Sequence, residues 1–107
     1  MEWPMAADRE QQWKELVAEY PDSPMGHFSL GKLYLDSSRY AEAAACLAEA
    51  ARLDPEYAAA LVALGDALAG QGDAARAREA YGRAQATKLA QKDRNLAEEL
   101  SQRLAGL

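Results

Sequence analysis

Slid along itself until Leu30 meets Leu64, this chain matches itself at many places, and that self-match constrains the fold more than any other feature. In that register Leu30-Gly31 falls on Leu64-Gly65, Ala41 on Ala75, Ala43 on Ala77 and Ala50 on Ala84. Tyr34 falls on Leu68 and Leu47 on Tyr81, so bulk is kept at both places. Ser38 falls on Gly72, both small residues suited to a turn. A repeat with a period of roughly 20–50 residues is a stack of supersecondary units, each burying its apolar face on its neighbours.

Each unit reads as two helices. The first begins at Pro24 or Met25 and runs to Asp36, with Phe28, Leu30, Leu33, Tyr34 and Leu35 forming a broad apolar face. Pro24 suits a helix start, where its missing N–H leaves no bond unmade. The second helix spans Tyr40 to Leu53 and stops before Asp54-Pro55, because proline disfavours helix in the residue before it. The other unit repeats the pair at Glu56 to Ala69 and Ala74 to Ala90. Gly70-Gln71-Gly72-Asp73 forms the turn between them. Alanine-rich stretches such as AEAAACLAEAA favour helix and allow close approach.

The interval, the helix pairs and the alternation of small with large residues resemble the tetratricopeptide repeat. Leu30, Gly31, Tyr34, Ala43, Leu47, Ala50 and Pro55 match that pattern in the first unit. Leu64, Gly65, Leu68, Ala77, Tyr81 and Ala84 match it in the second. His27 and Leu61 stand where the family usually has tryptophan, and Leu89 replaces its terminal proline. The resemblance implies an all-α, right-handed α-α superhelix, here of about six helices in a single domain over residues 1–107.

The units at residues 24–57 and 58–91 are flanked on both sides. The same shift taken backward from Pro55 lands on Pro21, and Trp13, Leu16, Val17 and Tyr20 before it follow helical spacing. Residues 5–20 therefore read as the second helix of a truncated preceding repeat. Residues 93–107 carry Leu96, Leu100 and Leu104 on one stripe but no Leu-Gly pair, which fits a terminal capping helix. No proline or glycine interrupts Arg83 to Ala105, so a continuous helix is one reading. A break near Lys92-Asp93 is favoured, since Asp93 is a good N-cap.

Composition narrows the function classes. The net charge is −5, so no basic stripe exists for a phosphate backbone and nucleic acid is a poor partner. Residues 1–23 hold six acidic and two basic groups. Cys46 is the sole cysteine, which rules out an internal disulfide and fits a reducing compartment. The N-terminal residues lack a basic leader with an apolar stretch, and no segment nears the roughly 18 apolar residues of a membrane span. A cytoplasmic location is the expectation, with no membrane partner.

Chemistry-bearing residues are scarce. His27 and Cys46 fall on different helices with no orienting third group, so no catalytic residue is assigned. His27 is read as a packing residue in the tryptophan place, and Cys46 as a small core residue. One histidine and one cysteine do not make a transition-metal site, and no cofactor is expected. The chain is expected not to be an enzyme.

What remains is the concave face, which in proteins of the resembled family receives a peptide or a partner helix. Helical phase assigns to it Met25, Phe28, Ser29, Lys32 and Leu35 from one unit and Ala59, Val62, Ala63 and Asp66 from the other. A competing reading has some of these packing on a flanking helix, or Lys32 pairing with Asp66 across the stack. The family's chaperone-binding members clamp a C-terminal carboxylate with lysine, asparagine and arginine. The matching places here hold Phe28, Lys32, Ala63, Asp93 and Ala97, and only Lys32 agrees, so that clamp is not expected. The expected role is a scaffold that binds a protein or peptide. The alternative is self-association as a homodimer through Trp3, Trp13 and Tyr20, or by head-to-tail contact between acidic and neutral halves.

Overall fold

A computed structural model describes residues 6–107 and shows seven α-helices among them. They are α1 (Ala6–Glu19), α2 (Pro24–Asp36), α3 (Tyr40–Leu53), α4 (Ala58–Gly70), α5 (Ala74–Gln85), α6 (Lys88–Lys92) and α7 (Arg94–Ala105). Trp3 lies outside the described residues. The helices stack in chain order, giving an elongated body of 42 × 26 × 25 Å.

Within each unit the two helices nest because a small residue faces a large one. A Cβ added to Gly31 would lie 2.6 Å from Leu47, and one added to Gly65 would lie 2.3 Å from Tyr81. The two pairs occupy equivalent places in the repeat, so one packing solution is used twice. Leu30, Leu47, Leu61, Leu64, Leu68 and Tyr81 fill the core around them, none more than 5% exposed.

The inter-helix turns repeat as well. Ser38 has φ 58° and Gly72 φ 83°, so the two turn residues matched in the sequence share the left-handed conformation. The following amides, Arg39 N–H and Asp73 N–H, donate to the carbonyls of Tyr34 and Leu68. Orphan carbonyls at both helix ends are thereby bonded.

Several boundaries differ from expectation, among them the end of α4, which takes in Gly70. The second helix of the second unit does not reach Ala90; it stops at Gln85, and the short α6 follows, so the described residues form seven helices rather than six. Thr87 makes the break. It is extended, buried to 1%, donates its hydroxyl to the Ala84 carbonyl at 2.7 Å and accepts from the Ala90 amide at 3.3 Å. Glu56, far back in the chain, accepts from the Lys88 amide at 3.0 Å and so caps α6 from outside. The expected break at Asp93 is present: its carboxylate accepts from the Leu96 amide at 3.1 Å. The first helix of that unit starts at Ala58 rather than Glu56.

α1 is fixed to the stack by packing and charge. Trp13 and Val17 pack against the core. Glu10 accepts from Arg39 at 2.5 Å and from Tyr34 at 3.2 Å, and pairs with Lys14 at 2.8 Å. Arg39 also pairs with Glu42 and lies over the Tyr34 ring at 4.5 Å. The Arg39 guanidinium, then the Lys14 ammonium, hold Glu10 down to a pKa of about 2.

Candidate binding groove

Of the residues assigned to the concave face, all but Leu35 divide between two recesses. The larger, of about 260 Å³, lies between α2, α4 and α7. Phe28 and Lys32 line it from α2, and Ala59, Val62, Ala63 and Asp66 from α4. α7 closes the third side with Leu96, Glu99 and Arg103, none of which was assigned from sequence. Phe28 is held by Tyr57, whose ring centroid is 5.0 Å away at a tilt of 39°.

Asp66 is the centre of polar contact in this groove. It receives Nε–H and Nη2–H of Arg103 at 2.9 and 3.3 Å, and the Tyr81 hydroxyl at 2.5 Å. Arg103 also donates to Glu99, one turn back, at 2.5 Å. Hydrogen bonding to Asp66 pushes the Arg103 pKa up. Burial, then the bond to Asp66, pushes the Tyr81 phenol up. The pairing of Lys32 with Asp66 across the stack is not what forms. Lys32 reaches Asp36 on its own helix at 3.9 Å, while Asp66 is bound by Arg103. The reason is reach: the long Arg103 side chain descends from α7 onto α4 with a planar fork that fits a carboxylate.

The smaller recess, of about 190 Å³, sits at the N-terminal end between α1 and α2. Trp13, Leu16 and Tyr20 line it from α1, with Ser23, Met25, Gly26 and Ser29 on the other side. Met25 and Ser29, assigned to the concave face, are therefore brought together with Trp13 and Tyr20. Leu35 is half-buried against the core.

His27 and Cys46 have ordinary surroundings. The His27 Nε2 lies 2.8 Å from the Pro21 carbonyl, a contact its N–H makes as donor. Burial pushes the Cys46 thiol up, away from the reactive thiolate. Among the described residues, no group of three or more His, Cys, Asp or Glu side chains converges as a metal site. Nor is any described helix long and apolar enough to cross a membrane.

Comparison with known proteins agrees with this geometry. A tetratricopeptide repeat family model matches residues 28–93. TPR repeat-containing protein PA0015 of Pseudomonas aeruginosa is 33% identical over 88 residues, covering 82% of this chain and 84% of that protein. The TPR2B domain of yeast Sti1, solved as a complex with pHsp70, superposes with a TM-score of 0.84 at 18% identity, over 94% of this chain and 80% of that one. Protein BPP2914 of Bordetella parapertussis, solved in solution, gives a TM-score of 0.74 at 31% identity, over 90% of this chain and 84% of that one. With its paired helices, its fixed repeat interval and its glycine-to-bulk nesting, the chain belongs to the tetratricopeptide repeat family.

Proposed function

We propose that this chain is a non-catalytic interaction module that holds the apolar face of a partner peptide or helix in the α2–α4–α7 groove. The observation behind this is a floor of Phe28, Val62, Ala63 and Leu96 framed by charges that are already paired. A concave apolar floor with a few fixed polar groups suits ligand burial and orientation. The carboxylate clamp of the family's chaperone-binding members is not expected here, because its places hold Phe28, Lys32, Ala63, Asp93 and Ala97 and only Lys32 agrees. Arg103, which lines the groove, is engaged by Asp66 and Glu99. Recognition therefore rests on apolar burial rather than on a terminal carboxylate.

The test is capture of partners from the source cell with the wild-type chain and with Phe28→Glu/Val62→Glu. The double variant is expected to lose its partner while far-UV circular dichroism stays near normal. The single change Ala59→Glu, at an exposed position, provides a variant that leaves the core untouched. Undiminished capture by both variants would refute the groove reading.

A further inference from the structure

We propose that the N-terminal end of the stack is a second docking seat. Its occupant is a partner's amphipathic helix that carries a leucine, a small residue next to it, and a large apolar residue three positions further on. The seat is read from the molecule's own repetition and does not rest on the groove reading. One repeat forward from Trp13, Leu16, Gly26 and Ser29 stand Leu47, Ala50, Ala60 and Ala63. Those four are 0, 0, 0 and 5% exposed, on the two helices, α3 and α4, that pack on each other and on α2. At the N-terminal end no described helix plays the part of α2. Leu16, whose counterpart Ala50 is fully buried, stands 38% exposed, with Trp13 and Ser29 half-buried beside it and Tyr20 and Met25 exposed at its rim. The seat thus continues the interface that α2 makes with α3 and α4.

The same repetition specifies the occupant. Gly31 of α2 closes onto Leu47, and Gly65 of α4 closes onto Tyr81; Trp13 is the residue one repeat earlier in that series. A helix filling the seat must bring a small residue against Trp13, as Leu30-Gly31 with Tyr34 and Leu64-Gly65 with Leu68 do further along. Charge adds a second criterion. Between residues 8 and 22 the chain has five carboxylates against Arg9 and Lys14; Glu10 is itself taken up by Lys14 and Arg39, and an excess of acid remains. A helix flanked by lysine or arginine complements that end.

A second copy of this chain fits less well. The exposed face of α7 offers Glu98, Ser101 and Gln102, which closes the C-terminal end to head-to-tail stacking. Two α1 helices face to face would set bulk against bulk and acid against acid.

The probe is a blocked synthetic peptide of about 16 residues, some four turns of helix, bearing the Leu-Gly-x-x-Tyr pattern of α2 and lysines on its outer face. It is titrated into the full chain while the Met25 methyl, the Gly26 and Ser29 amides and the Val62 methyls are followed by NMR. Saturable shifts at Met25, Gly26 and Ser29, with Val62 unmoved, are expected. Replacing the peptide glycine by leucine should weaken binding by about tenfold or more through overpacking on Trp13. Leu16→Lys should abolish binding without loss of helicity. Four outcomes would overturn the proposal: no shifts at the seat, equal affinity for the leucine peptide, shifts confined to Val62, or a dimer through this face that the peptide does not displace. Binding that appears only after removal of residues 1–5 would also overturn it, since the seat would then be filled from within the chain.

Discussion

Substituting Gly65 by alanine tests the packing rule on which both units depend. In an exposed helix interior this change stabilises by about 1 kcal/mol, because glycine has the greater freedom to lose on folding. At Gly65 the new Cβ would lie 2.3, 2.5 and 2.8 Å from three ring atoms of Tyr81. The ring has nowhere to go: Tyr81 is 3% exposed, and its hydroxyl is bonded to Asp66. Overpacking costs about 1–3 kcal/mol, and three contacts under 3 Å on a ring that cannot move belong in the upper half, about 2–3, so the net effect is a loss of about 1–2 kcal/mol. In a domain of this size that lowers the melting temperature by roughly 4–16 °C. Gly82→Ala is the internal control, since that glycine lies in α5 with nothing within 4 Å of an added Cβ. It should stabilise by about 0.5–1 kcal/mol. Urea denaturation followed by far-UV circular dichroism reads both. A Gly65→Ala protein as stable as the wild type would refute the nesting argument, whatever Gly82→Ala does.

The acid-sensitive joint is Glu10. Its folded pKa of about 2 lies below the ordinary 4.5, so its contribution to stability is present above pH 4.5 and is lost as pH falls through 2. Carboxyl NMR should find Glu10 titrating well below the other glutamates, and Arg39→Gln should return it toward the ordinary range. Thr87→Val keeps side-chain shape but strips the hydroxyl from the Ala84 carbonyl and the Ala90 amide. A loss of about 1–2 kcal/mol is expected in urea denaturation, with faster amide exchange across α6. Cys46, half-buried with its thiol pKa raised, should react with a disulfide reagent at neutral pH more slowly than a free cysteine and at the free rate once urea unfolds the chain.

The parts of the fold legible in the sequence are those set by local pattern repeated at a fixed interval. Gly31 and Gly65, the turn residues Ser38 and Gly72, and Asp93 as an N-cap each carry their meaning in a few adjacent positions. Thr87 does not. A threonine inside an alanine-rich helical run is locally ordinary, and its break is decided by burial and by Glu56, a residue from the end of the preceding unit. The groove divided in the same way. Helical phase located Phe28, Lys32, Val62 and Asp66, because α2 and α4 follow one register. It could not locate Leu96, Glu99 and Arg103, since α7 begins later than a third exact repeat would and lacks the Leu-Gly marker. One signal was present: Glu99 and Arg103 stand one turn apart. Only the packed structure shows that their pair closes on Asp66.

The location of Arg103 bears on what kind of partner the groove can take. A free arginine on the concave face would attract carboxylates and make recognition depend strongly on salt. Here the guanidinium is enclosed by two carboxylates from α4 and α7, and its 30% exposed side chain joins the capping helix to the repeat it covers. The same contact that ties α7 to α4 therefore occupies the groove's arginine, so that under the proposed function Phe28, Val62 and Leu96 would set affinity. At the other end no described helix covers Leu16 and Met25, and no acidic side chain lines the recess they share. The C-terminal helices carry a paired charge and a largely polar α7 face, with Leu89 of α6 exposed, while the N-terminal end exposes Leu16, Tyr20 and Met25. That difference between the two ends is what the proposed N-terminal seat rests on, and the peptide titration tests it.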